Sequence, residues 1–216
     1  GIGQLPPDIN ESNDNFTVVP GGTRFGLAAI KNIGRGFIQK VMNERKQGGK
    51  FTSLEDFASR MYGTDLNKRA LENLIKAGAC DSFGLNRAQM LRIYELVLDA
   101  AASRKNKNID GQMGLFDLLS GEDSAAVMPA VQVPDIPEMS VQEKMNLEKQ
   151  TTGLYLFGHP MDEYRPLLRG MDVVPIGEIL ECFENGDETY QDEQIVNIAG
   201  IVEAIKMKTT RSGSMM

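Results

Sequence analysis

Two stretches of this chain share one local plan, and that plan restricts the fold more than any other feature. In Leu27-Ala28-Ala29-Ile30-Lys31-Asn32-Ile33-Gly34-Arg35-Gly36, apolar residues at helical spacing run into a tight Gly-x-Gly turn. Phe37, Ile38, Val41 and Met42 resume helical spacing beyond it. Leu71-Glu72-Asn73-Leu74-Ile75-Lys76-Ala77-Gly78-Ala79 repeats the helix and the glycine. Its second helix starts near Asn86, after a longer connection through Cys80-Asp81-Ser82-Phe83-Gly84. That helix carries Met90, Leu91, Tyr94, Val97 and Leu98 on one face and frays over residues 103–108. A chain that turns twice in this way is expected to be mainly α.

Local signals place the other elements. Ser53 caps a short helix carrying Leu54 and Phe57. Asn67 is a good N-cap for the helix through Leu74 and Ile75, and Leu66 with Leu71 forms the hydrophobic staple of its first turn. Gly78 is expected to end that helix in the left-handed conformation. Ser140-x-x-Glu143 is a capping box that opens a later helix through Met145 and Leu147, expected to run on to a break at Gly158-His159-Pro160. Residues 1–25 read as irregular, with a strand at Thr17–Val19 and a turn at Pro20-Gly21-Gly22. Ile195–Val202 reads as a strand continuing through Ile205 and Met207 towards a turn near Ser212-Gly213.

These signals divide the chain into residues 1–25, a helical-hairpin domain over 26–118, a linker over 119–139, a helical and irregular connector over 140–190, and a β segment over 191–216. Pro129, Pro134 and Pro137 forbid regular structure in the linker. The chain opens on Gly1 and closes inside a hairpin-like Ser-Gly-Ser run, the pattern expected of a piece of something larger.

The net charge of −7 conceals an asymmetry. Residues 24–107 hold 16 Lys and Arg against 8 Asp and Glu, whereas the remainder holds 7 against 22. A basic block neutralises phosphates and an acidic remainder is repelled by them, so nucleic acid would meet residues 24–107. Cys80 and Cys182 stand far apart and read as reduced thiols of a cytoplasmic protein. No apolar run approaches the ~20 residues needed to span a bilayer, so no membrane partner is expected.

The paired helices and their glycines form the helix-hairpin-helix pattern. Such glycines let backbone amides approach a phosphate, and the start of the second helix adds its positive dipole end. Lys31, Asn32, Gly34, Arg35 and Gly36 in the first hairpin, with Lys76 and Gly78 in the second, are the candidate DNA contacts. The other reading of each hairpin is an ordinary helix-helix turn. Gln112-Met113-Gly114-Leu115-Phe116 offers an amide, an aliphatic and an aromatic anchor in the manner of a docking peptide; alternatively it is a loop folded back on its own domain. The sequence contains no paired Asp-x-Asp suited to two metals and no phosphate loop of the Gly-x-x-x-x-Gly-Lys type. The single His159, between Gly158 and Pro160, reads as a turn residue. No catalytic residue or metal ligand is identified.

Four blocks stand in a characteristic order: Leu5-Pro6-Pro7-Asp8-Ile9-Asn10, Phe25-Gly26-Leu27 through Gly34, Asn67-Lys68-Arg69 through Ala79, and Gly153-Leu154-Tyr155-Leu156-Phe157-Gly158-His159-Pro160. Together they resemble the catalytic alpha subunits of bacterial DNA polymerase III over essentially the whole chain. The resemblance implies the end of the fingers, a tandem helix-hairpin-helix domain, and the first strands of a truncated oligonucleotide-binding (OB) fold. It implies duplex DNA, the sliding clamp and other replicative subunits as partners, with Gln112–Phe116 as the internal clamp-binding peptide. The parent would be a DNA-directed DNA polymerase, a nucleotidyltransferase using magnesium; its catalytic carboxylates match no position here, so no cofactor is expected in this segment. Two other classes fit the helix-hairpin-helix pattern: a stand-alone repair enzyme, and a purely structural interaction module.

Overall fold

A computed structural model describes residues 3–109, 131–156 and 158–202. Contacts divide the chain into two compact units, residues 1–157 and 158–216. The first unit holds a small sheet and five helices among its described residues: β1 (Gln4–Leu5), β2 (Thr17–Val19), β3 (Gly22–Arg24), α1 (Arg35–Gly48), α2 (Leu54–Met61), α3 (Lys68–Lys76), α4 (Arg87–Ile109) and α5 (Val141–Thr152). The mainly helical class read from the sequence is the one observed.

β2 and β3 form the antiparallel hairpin foreshadowed by Pro20-Gly21-Gly22, with Val18 opposite Thr23. β1 adds in parallel on the other side of β3, pairing Gln4 with Thr23, so the strand order is β1-β3-β2. This N-terminal segment is fastened to the helices. Asn10 Nδ2 donates to the Phe51 carbonyl (2.9 Å), and Asn10 Oδ1 accepts from the Phe51 N–H (2.8 Å). The Ile9 N–H donates to the Ala79 carbonyl (2.8 Å), and Ile9 is fully buried.

The core is built from the periodic apolar positions. Leu27, Ile30, Ile38, Val41, Leu54, Phe57, Leu71, Leu74, Ile75, Met90 and Val97 are all buried in one cluster. α4 packs against α2 and α3, while α1 packs on α2 and α5 on α3. The Ser53 and Asn67 caps and the Ser140–Glu143 capping box all form. Leu27–Ala29 makes only a short 3-10 turn rather than the helix its spacing suggests, because Ile30 returns to extended backbone. α5 stops at Thr152, earlier than expected, where Gly153 adopts the left-handed conformation (φ 82°).

The second unit contains a 3-10 turn at Pro160–Glu163, α6 (Arg165–Leu168) and α7 (Ile176–Asn185). His159 is a turn residue as read: its Nδ1 accepts from the Met161 N–H (3.1 Å), while Asp162 accepts from the His159 N–H (2.7 Å). The strand expected over Ile195–Val202 is not formed. These residues join no ladder, and Ile195 is 96% exposed, because no described strand lies alongside to pair with them. Among the described residues, no helix is long and apolar enough to cross a membrane.

Candidate nucleic-acid interface

The first hairpin turns at Asn32, whose φ of 64° lies in the left-handed region that asparagine tolerates better than most residues. Gly34 then serves as N-cap of α1 with ordinary extended backbone and no side-chain cap. A cap is present on each of the other four helices of this unit: Ser53, Asn67, Asn86 and Ser140 accept from first-turn amides. The amides at the start of α1 therefore have no capping side chain, and no acidic residue stands in the first turn. Gly34, Arg35 and Gly36 are all exposed, and a Cβ on either glycine would meet nothing within 4 Å. Among the described residues, neither backbone strain nor packing requires glycine at these two positions.

The second hairpin is filled from within. Gly78 takes the left-handed conformation expected of it (φ 82°), and a Cβ there would lie 2.9 Å from Arg87 Cζ and closer still to Nη2. Arg87 is 2% exposed and bonds Asp81 (Nη2 to Oδ2, 2.8 Å) and Glu148 of α5 (Nη1 to Oε1, 2.9 Å). The start of α4 is also occupied. The Glu138 carboxylate accepts from the N–H groups of Arg87 and Ala88 (both 3.3 Å) and of Met139 (2.9 Å). Burial pushes the Glu138 carboxyl up, but those three amides and the Lys144 charge outweigh it and hold the group below its ordinary value. A linker residue thus supplies the anion that the dipole of α4 favours.

Between the hairpins lies a cleft of about 310 Å³, lined by Lys31, Asn32, Arg69, Glu72, Asn73, Lys76, Gln150 and Thr151. Lys31 is braced there on three sides. Its N–H donates to the Thr151 carbonyl (2.9 Å), its ammonium donates to the Gln150 carbonyl (2.7 Å), and its own carbonyl accepts from Asn73 Nδ2 (2.8 Å). Lys76 pairs with Glu72 (2.7 Å). Lys31 and Lys76, read as belonging to separate hairpins, share this cleft. Arg69 and Asn73 were not singled out from the sequence. Their spacing with Glu72 and Lys76 at i, i+3, i+4 and i+7 along α3 would have placed all four on one face.

Acidic residues in this unit are largely consumed by ion pairs: Asp65 with Lys40, Glu95 with Lys68, and Glu44 and Asp56 with Arg60. The side chains of Arg35 and Arg69 make no ion pair or hydrogen bond among the described residues. Arg35 at the start of α1, and Lys31 and Arg69 at the cleft, are among the cations of this unit with no ion pair among the described residues. Gln112–Phe116 lies outside the described residues.

A family model described as the helix-hairpin-helix motif matches residues 1–90. The chain is homologous over its whole length to one segment of bacterial DNA polymerase III alpha subunits. It is 38% identical to that subunit of Thermus aquaticus over 216 residues, 37% to that of Neisseria meningitidis serogroup B over 216, and 34% to that of Vibrio cholerae serotype O1 over 215. The match covers 99–100% of this chain but only 16–18% of those proteins, about one sixth of their length.

Proposed function

We propose that this chain is a DNA-gripping segment of a replicative DNA polymerase, holding duplex DNA by its phosphate backbone beside the polymerase site of the parent protein. The observation that carries this reading is the start of α1: an uncapped helix N-terminus with exposed Gly34, Arg35 and Gly36, whose glycines answer to no contact among the described residues. Backbone amides and the helix dipole favour a phosphate oxygen there, and Arg35 adds charge. Contacts of this kind position a duplex without reading its bases.

The second hairpin has a different part in this proposal. Gly78 makes room for Arg87, and Glu138 already sits on the amides of α4, so this hairpin braces the module. Lys76 contributes to DNA binding through the cleft. Processivity would come from Gln112–Phe116 docking the sliding clamp, with Leu115 and Phe116 as apolar anchors and Gln112 held at the pocket edge. Nucleotidyl transfer with magnesium, and contacts with other replicative subunits, belong to the parent polymerase.

Fluorescence anisotropy with labelled duplexes of unrelated sequence tests the DNA reading. Affinity should be the same for each duplex, fall steeply with salt, and weaken uniformly in Arg35→Glu. A sequence preference, or duplex binding that does not weaken with salt, would overturn it; an Arg35→Glu protein that binds as the wild type does would overturn the contact at the start of α1.

A further inference from the structure

The cleft between α3 and the end of α5 brings three cations together around one carboxylate. Lys31 comes from the first hairpin, Arg69 and Lys76 from α3, and Glu72 is the only acid in the lining. Two of the cations are partly engaged: the Lys31 ammonium donates to the Gln150 carbonyl (2.7 Å), and Lys76 is held by Glu72 (2.7 Å). An ammonium has three donors, so each retains capacity. The side chain of Arg69 is exposed and has no ion pair or hydrogen bond among the described residues. A guanidinium carries five N–H donors in a planar fork that matches two phosphate oxygens at once.

We propose that this cleft is a second phosphate seat, separate from the start of α1, which takes one backbone phosphodiester of duplex DNA. Arg69 is the bidentate contact, and Lys31 and Lys76 act as flanking point charges. Asn73 is a positioning residue: buried on α3, it holds the Lys31 carbonyl at 2.8 Å and so fixes the turn that carries Lys31 and Asn32 to the cleft. The inference rests on the reading of this module as a duplex binder, but it uses different residues from the α1 contact and can fail separately.

The test is duplex affinity across a salt series for the intact chain and for Arg69→Gln, Arg69→Lys and Arg35→Gln, with circular dichroism to verify folding. Each neutralised phosphate contributes about 0.9 to the slope of log affinity against log salt. Arg69→Gln should lower the slope by about that amount. Arg69→Lys should restore the slope while binding less tightly, because it keeps the charge and loses the fork. Wild-type slope and affinity in Arg69→Gln, alongside weakened binding in Arg35→Gln, would overturn the cleft assignment and leave the α1 contact standing. Weakened binding in Arg69→Gln with no effect of Arg35→Gln would do the reverse.

Discussion

Arg87 on α4 and Glu148 on α5 meet at 2.9 Å with side chains 2% and 0% exposed, although 61 residues separate them in sequence. This pair ties α5 to α4, beside the two hydrogen bonds from Lys31 to the Gln150 and Thr151 carbonyls. Glu148 also accepts from the Leu156 N–H (3.1 Å), so the same carboxylate anchors the chain as it leaves α5.

Removing the Glu148 carboxylate should therefore be costly. Breaking a buried ion pair typically costs about 3–5 kcal/mol, and the lower end applies because Asp81 still faces Arg87. Urea unfolding of Glu148→Ala should show a loss of roughly 3 kcal/mol. A loss below about 1 kcal/mol, the range of exposed pairs, would mean that α5 is held mainly by its apolar contacts.

Glu138 predicts an acid-sensitive term in stability. Its folded pKa lies below the ordinary glutamate range because burial, which raises it, is outweighed by the amides of Met139, Arg87 and Ala88 and by the Lys144 charge. A depressed carboxylate stabilises the fold above its unfolded pKa, and that contribution is lost as pH falls through the folded value. Unfolding midpoints of wild type and Glu138→Gln should differ at neutral pH and converge in the acid range below the usual glutamate pKa. A gap that stays constant with pH would contradict the assignment.

Gly78 should tolerate no side chain. Its φ of 82° disfavours any L-residue, and an added Cβ would displace the Arg87 guanidinium from behind it. Backbone strain alone costs about 1–3 kcal/mol, so Gly78→Ala should lower the melting temperature by several degrees. Unchanged melting would show that Arg87 can move aside and α3 can end differently.

Gln112–Phe116 should carry clamp affinity. Buried aliphatic and aromatic anchors are each worth about 1.5–3 kcal/mol. Leu115→Ala/Phe116→Ala should therefore all but abolish capture of the sliding clamp while duplex binding persists. Calorimetry showing unchanged clamp affinity would assign the peptide to packing on its own domain.

Much of the helical unit was legible in the sequence because its signals are local. The caps at Ser53, Asn67 and Ser140, the left-handed Gly78 and the buried positions of α3 all follow from neighbours a few residues away. What escaped the reading depends on distant partners. β1 pairs with β3 across some twenty intervening residues, and neither strand is long enough to show alternation. Leu27–Ala29 keeps helical spacing but lacks the length to propagate a helix, so tertiary packing decides its conformation. The filling of the second hairpin by Arg87 and Glu138 required knowing that α5 and the end of the linker fold back over α4. The expected strand at Ile195–Val202 failed for the complementary reason: β propensity describes a fit to neighbouring strands, and none lies beside it among the described residues.

The central claim is that the start of α1 is a point of close approach for DNA, and Gly36 tests it most directly. Beyond its own neighbours and helix backbone, a Cβ there meets nothing within 4 Å among the described residues, and leucine favours a helix more than glycine does. Gly36→Leu should therefore fold with unchanged or slightly raised stability. Its bulk should nonetheless keep a phosphate backbone from reaching the α1 amides, weakening duplex binding roughly tenfold, or about 1.4 kcal/mol. A Gly36→Leu protein that melts like the wild type and binds duplex with wild-type affinity would contradict the account.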